Sequence, residues 1–322
     1  MGDLFVGIDG GGSRTRVAVV EKDGQLQGFA EAGGCNPEWL PTEKCQEHVH
    51  DALRGALVNA QGDLRAVRGV VAGIAGINRT EDERWVRDVL DSAELQSPMV
   101  CLNDRLVAQA GALVGRPGVV AIAGTGMVTS AVTETGREVL TWHLGAGGAP
   151  GAVALVRQLL ARFAAEEIDE ADVPLRDRIL ATLGVVDVSA LREALLQRTV
   201  SAPILAALAP TVTAAAEQGI PVARAVCDDA VESAVRGIRL VGYCIGVDPV
   251  PVVLIGGVIR SQVIRHGIEA RLNAQNHHFE IKEPMMPPVG GAALLCLERF
   301  AVNVPSNAPE RLGAALLPRC PV

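Results

Sequence analysis

The chain has 322 residues, of which 49% are hydrophobic, 20% charged and 3% aromatic, and its net charge is 29 − 37 = −8. That length suggests about two domains with cores that need no disulfide or metal staple, and the composition excludes a disordered chain. The acidic balance and the scarcity of aromatic stacking platforms argue against nucleic acid and anionic membranes as partners, and no apolar run approaches the roughly 20 residues of a membrane span.

Two β-rich runs, Leu4–Ile8 and Arg16–Val20, flank a glycine turn, and Asp23-Gly24 turns the chain into a third short strand, so the chain opens as a β-meander. A helix is predicted from Thr42, its candidate N-cap, to about Ala60. Arg68–Gly76 reads as a buried strand, and Thr80–Leu90 as a helix with Thr80 and Glu83 forming a capping box. Residues 98–104 form a strand ending at Asn103-Asp104, and a helix follows to about Leu113.

The opening pattern then recurs. One offset of 114 sets Val6 on Val120, Ile8 on Ile122, Gly10 on Gly124, Gly12 on Gly126 and Thr15 on Thr129. A repeat of domain length predicts two similarly built domains, with Gly115-Arg116-Pro117-Gly118 as the break. The domains are thus expected at 1–115 and 116–322, with the helix near 290–300 a candidate for packing back on the first. In the second half, Ala152–Glu167 is a predicted helix and Asp169–Pro174 an acidic linker. A long helix runs from Pro221 to about Ile245, and PVVLIGGVI is a strand entering a Gly-Gly turn. Helices follow at Gln262–Asn273 and from about Gly290 to Arg299, and residues after about Val304 read as a loose tail. Strands alternating with helices give an α/β fold.

No helix follows the first glycine turn, so the phosphate argument based on a helix N-terminus does not apply to Gly10, Gly11 and Gly12. Successive backbone N–H groups of a side-chain-free turn can still face a phosphate. Ser13, Arg14 and Thr15 add hydroxyls and a charge, and Asp9 at the strand end is placed to hold hydrated Mg²⁺. Gly124, Thr125 and Gly126 offer a second such turn, and two of them can clamp a polyphosphate. The competing reading is that both are only hairpin turns. The seven cysteines include no C-x-x-C pair, which gives no support to zinc, a disulfide framework or an iron–sulfur cluster and fits a reducing, cytoplasmic setting. The first residues carry acids and no basic segment, so no signal peptide is expected. His48 and His50, two apart on a helix, do not share a face, and His277-His278 reads as an exposed turn.

DGGGSRT resembles the first phosphate motif of the acetate and sugar kinase/heat-shock cognate/actin superfamily, AIAGTGMVTS its second, and VVLIGGVIRS its adenosine motif. More narrowly, the chain resembles the N-acetylglucosamine kinase and BadF/BadG/BcrA/BcrD ATPase family, through the triple glycine, Cys35-Asn36-Pro37, Asn103-Asp104 and PPVGGAALL. The resemblance covers about residues 4 to 300. It implies two actin-like, ribonuclease H-like domains with a nucleotide cleft between them, use of ATP and Mg²⁺, a small sugar as acceptor and a homodimer. It makes Asp9 the Mg²⁺ residue, acting through water. Gly10, Gly11, Gly12, Ser13 and Thr15 become phosphate-binding, with Gly124, Thr125 and Gly126 as the second clamp. Gly256 and Gly257 flank the adenosine, Asp104 is the general base, and Asn36, Asn103 and Gly147 are substrate-binding candidates. Asp104 also suits a helix N-cap, and the two roles can coexist.

The pattern breaks at one place. Sugar-phosphorylating members carry a Gly-Trp-Gly…Gly-Asp-Glu-Gly-Ser loop whose acids bind sugar hydroxyls. Here the segment is TWHLGAGGAPGAVALV, with no carboxylate between Glu138 and Glu166. Met127 replaces a small polar residue, which would reshape an acceptor pocket, and His143 is the loop's remaining polar candidate. The reading is therefore an ATP-dependent kinase for an amino sugar such as N-acetylglucosamine or glucosamine. The alternatives are a partner-coupled ATPase of the same family or a nucleotide- or sugar-binding regulator without turnover.

Overall fold

A computed structural model describes residues 2–77, 80–91, 95–147, 151–274 and 278–320. The chain divides into two compact units, residues 1–116 with 283–322, and residues 117–282. The expected assignment of 116–322 to one C-terminal domain is therefore corrected: the last 40 residues return to the first unit.

The first unit starts with β1 (Leu4–Gly10), β2 (Arg14–Glu21) and β3 (Leu26–Gly33), then α1 (Thr42–Asn59) and β4 (Val67–Ile74). α2 (Thr80–Asp91), β5 (Met99–Asn103) and α3 (Asp104–Leu113) complete its first pass. The second unit comprises β6 (Gly118–Ala123), β7 (Met127–Val132), β8 (Glu138–Leu140), α4 (Ala152–Ala164), α5 (Val173–Leu183), α6 (Val188–Leu196), α7 (Ala202–Glu217), α8 (Pro221–Gly242), β9 (Val250–Ile255), α9 (Gln262–Asn273) and β10 (Phe279–Lys282). The chain then re-enters the first unit as α10 (Pro288–Phe300) and α11 (Ala308–Leu316).

The sheet of the first unit has the order β3-β2-β1-β4-β5, with β1, β4 and β5 parallel. These parallel strands are apolar along most of their length because helices cover both faces. On one face, Leu4, Val6, Ile8, Val17 and Val19 pack on α1, whose buried Cys45, Val49, Ala52, Leu53, Ala56 and Leu57 fall on one helical stripe. On the other, Phe5, Ala18 and Val20 meet Val289, Ala293 and Leu297 of α10. Gly7 permits that approach, since a Cβ there would overlap the backbone of Ala293. The predicted loose tail is corrected: α11 buries Leu312 and Leu316 in the same cluster, followed by Cys320.

The second unit repeats the topology as β10-β9-β6-β7-β8. The repeat therefore holds, but its register of 114 does not. In the first unit the crossover helix α1 covers even-numbered residues of β1, whereas in the second α8 joins a cluster with Val119, Ala121 and Ala123. Right-handed crossovers place both helices on the same side of their sheets, so the structural offset must be odd. The Gly10 carbonyl accepts from Ala75 N at 2.8 Å and the Ala123 carbonyl from Val258 N at 3.0 Å, which sets the offset at 113.

Two local expectations also change, and one is not described. Thr42 is the first residue of α1 and makes no cap; its hydroxyl accepts from Trp85 Nε1 at 3.0 Å. The capping box on Thr80 falls on a side chain outside the described residues. The acidic linker is structural: buried Asp172 accepts from Val222 N at the start of α8 (2.9 Å) and from Asp169 N (3.0 Å).

Candidate active site

Asp9, the penultimate residue of β1, lies on the face opposite α1, because strand side chains alternate. The hairpin register sets it beside Arg16, and Arg16 beside Glu31 of β3. Arg16 Nε donates to Glu31 Oε2 at 2.8 Å, and Arg14 Nη1 reaches Glu31 Oε1 at 3.2 Å. Burial pushes the Asp9 carboxyl up to about 7; Arg16 opposes that shift, while Asp104 and Glu31 reinforce it. Asp9 keeps some exposed surface, so its enclosure is dense without being complete. Sequence reading missed the Arg16–Glu31 pair, whose place beside Asp9 follows only once the hairpin register is known.

Asp104 stands at the same end of the sheet, opening α3 after β5. Asp9 aligns with Gly73, and Gly73 with Leu102, so the two carboxylates stand two strands apart, about 10 Å in the pairing direction. Burial raises the Asp104 carboxyl to about 6, against the pull of backbone N–H groups in the first turn. Asn103 is the residue that caps α3, accepting from Arg105 N at 3.0 Å. Its Nδ2 donates to Ile77 O at 2.6 Å. Both ends of the Asn103 amide are thus engaged in fixing the strand end that presents Asp104.

The glycine turn is stitched to its neighbours. Gly10 O accepts from Ala75 N and Gly11 O from Cys35 N, both at 2.8 Å. Gly11 donates its N–H to Arg14 O at 2.8 Å, and Thr15 is fully buried with its hydroxyl unpartnered among the described residues. Gly12 and exposed Ser13 remain at the turn tip. Asn36 is buried next to this turn; its Oδ1 accepts from Glu38 N at 2.9 Å and lies 3.0 Å from where a Cβ on Gly76 would sit. Gly76 has φ +83°, so this loop needs glycine for both conformation and space. His48 is also accounted for structurally, its Nδ1 lying 2.8 Å from Gly34 O.

In the second unit, Gly124, Thr125 and Gly126 form the turn between β6 and β7. Gly124 O accepts from Ala152 N (2.9 Å) and Thr125 O from Val153 N (3.1 Å), so the carbonyls face the start of α4. A Cβ added to Gly124 or Gly126 would meet nothing within 4 Å. Gly256 and Gly257 follow β9, which pairs in parallel with β6, so these two turns are neighbours. Gly256 has φ +114° and packs on Ala123 O. Gly147 is exposed, and Gly148–Pro150 and His277 lie outside the described residues. Met127 is partly buried and packs against the core of this unit. His143 Nδ1 accepts from Leu140 N at 3.3 Å, within its own turn.

No group of three or more potential metal ligands occurs among the described residues. A divalent ion here would therefore take most of its oxygens from phosphates and water, with Asp9 as the protein carboxylate. An enclosed carboxyl held near neutrality, beside a turn with little side-chain bulk, fits that arrangement. No described helix is long and apolar enough to cross a membrane.

The chain matches the BadF/BadG/BcrA/BcrD ATPase family over residues 6–296. It is similar to the N-acetylmuramic acid/N-acetylglucosamine kinase of Clostridium acetobutylicum, 27% identical over 132 residues, or 41% of this chain and 43% of that protein. It is also 23% identical over 146 residues to the N-acetyl-D-glucosamine kinase of Dictyostelium discoideum, covering 42% of this chain and 45% of the relative. Both matches thus span less than half the length of the curated relatives. Among solved structures, a protein of Chromobacterium violaceum provisionally named an N-acetylglucosamine kinase shares the fold, with a TM-score of 0.71 and 23% identity over 92% of this chain and 99% of its own.

Proposed function

The chain belongs to the BadF/BadG/BcrA/BcrD ATPase family, and on that premise we propose that it is an ATP-dependent kinase for a small sugar, an amino sugar in the first instance. One observation carries the reading. Two carboxylates of raised pKa, Asp9 and Asp104, stand at the same end of one sheet, about two strand spacings apart. The carboxyl end of parallel strands is where α/β sheets bind ligands.

The two acids divide the work. Mg²⁺, when bound with ATP, neutralises phosphate charge and orients the terminal phosphoryl group. Asp9 would hold the hydrated ion, whose positive charge would favour the ionised carboxylate and offset the cost of its enclosure. Gly12 and Ser13 offer the phosphates a turn tip, Gly124, Thr125 and Gly126 a second one, and Gly256, packed on Ala123, sets the turn that presents the more open Gly257 to adenosine. Asn36 and Asp104 face the sugar. Asp104 accepts the acceptor hydroxyl's proton as the new O–P bond forms and the bond to ADP breaks. A carboxylate whose pKa is about 6 is a stronger base than an ordinary one and is still ionised at neutral pH. Asn103 positions it.

The missing acids between Glu138 and Glu166 favour the second reading, a nucleotide- or sugar-binding protein without turnover. Product analysis separates the two. Incubation with Mg·ATP and glucosamine or N-acetylglucosamine, followed by mass spectrometry, should show a sugar phosphate in step with ADP. ATP binding without any phosphorylated sugar would overturn the kinase reading.

A further inference from the structure

Glu232, Val235, Arg236, Arg239 and Leu240 of α8 and Tyr243, its C-cap, follow the spacing of one helical face. Together with Arg271 at the end of α9 they line a cavity of about 530 Å³, within the size range of small-molecule sites. The cavity belongs to the second unit alone. It sits at the opposite end of α9 from the Gly256–Gly257 turn, one helix length or about 18 Å away.

Its charge runs against that of the molecule. Three arginines converge there, in a chain of net charge −8, and Glu232 is the one acid on the lining. Arg236 is exposed and has no hydrogen-bond or ion-pair partner among the described residues. Arg239 Nη2 donates to Arg271 O at 2.9 Å, while its Nε is buried with no partner. Arg271 Nη2 pairs with Asp228 at 3.2 Å and its Nη1 donates to Gly267 O at 3.3 Å. The rest of the wall is apolar: Val235, Leu240 and the ring of Tyr243, which is 62% exposed and stacks on His278 at 5.0 Å.

We propose that this groove binds the phosphate ester of a small organic molecule. Guanidinium groups recognise phosphate oxygens in pairs, and the exposed ring and aliphatic wall suit the organic body. A second copy of the chain is a poorer occupant, because a two-fold dimer centred here would set arginines against arginines. The proposal does not depend on the kinase reading.

Cys244, the exposed thiol directly after Tyr243, reports on the groove, since the other six thiols are buried. Its alkylation by iodoacetamide is followed in the full chain with glucose 6-phosphate, AMP, inorganic phosphate or glucose present. At about 5 mM, glucose 6-phosphate or AMP should slow alkylation roughly threefold or more, and the more effective ester identifies the organic body. Arg236→Glu, on an exposed and unpaired position, should remove that protection, and Arg236→Lys should retain part of it. The proposal is overturned if neither ester protects, if glucose or inorganic phosphate protects as well as the esters, or if Arg236→Glu leaves protection intact.

Discussion

The two units order their five strands identically but finish them differently. In the first, the strand ends carry Asp9 and Asp104, and the glycine turn is bonded into the loops after β3 and β4. In the second, the turns after β6 and β9 hold Gly124-Thr125-Gly126 and Gly256-Gly257, with no carboxylate among them. One topology thus provides two services. The first unit concentrates costly, enclosed charge, which needs a rigid surround, while the second offers open backbone at Gly124 and Gly126. A site that must move a proton belongs with the first kind of strand end.

The sharpest way to break this contrast is Asp104→Asn. Sugar phosphorylation should fall about 10²- to 10⁴-fold while nucleotide affinity changes little, as read from initial rates and equilibrium nucleotide binding. Equal losses of both would dissolve the assignment of a base.

The packing of the first unit can be tested next. Leu312→Ala on α11 should cost about 2–5 kcal/mol in urea unfolding, because that side chain is fully buried. A cost near zero would mean that the tail contributes nothing to the first core. The two glycine turns make a matched pair. A Cβ on Gly34 would overlap Gly12 O, so Gly34→Ala should destabilise by about 1–3 kcal/mol, whereas Gly126→Ala should stay within about 0.5 kcal/mol. Similar melting shifts for the two variants would erase the distinction between a packed turn and an open one.

The smallest effect is electrostatic. The Asp9 carboxyl titrates near 7 in the folded chain and near 3.8 when unfolded, so folding favours its protonated form. That stability is fully present below about pH 4 and is lost as pH rises through 7. Asp9→Asn should therefore stabilise the nucleotide-free protein at pH 8 by about 1 kcal/mol, after discounting for solvent screening, and hardly at all at pH 4. An equal gain at both pH values in thermal melts would contradict the enclosure of this charge.

Much of the architecture was legible in the sequence. The Asp23-Gly24 turn marked the meander, and the predicted helix Gln262–Asn273 matches α9 residue for residue. β8 and β10 are three and four residues long, too short to display a period. α11 was missed because its nine residues carry only two large apolar side chains, Leu312 and Leu316, and look like tail until α10 supplies a partner. The repeat was visible through its glycines, but matching glycines slipped the register by one residue and reversed the faces. The two acids could be found from strand ends alone. The bond from Gly11 N to Arg14 O and the burial of Thr15 could not, because they depend on where a backbone N–H and a side chain point after folding.

The most direct test of the central claim is the pH profile of ADP release from Mg·ATP, with and without amino sugars. The account predicts sugar-dependent release that rises through about pH 6 and levels off above it, as the Asp104 carboxyl loses its proton. Release that is the same with and without sugar at every pH would contradict it.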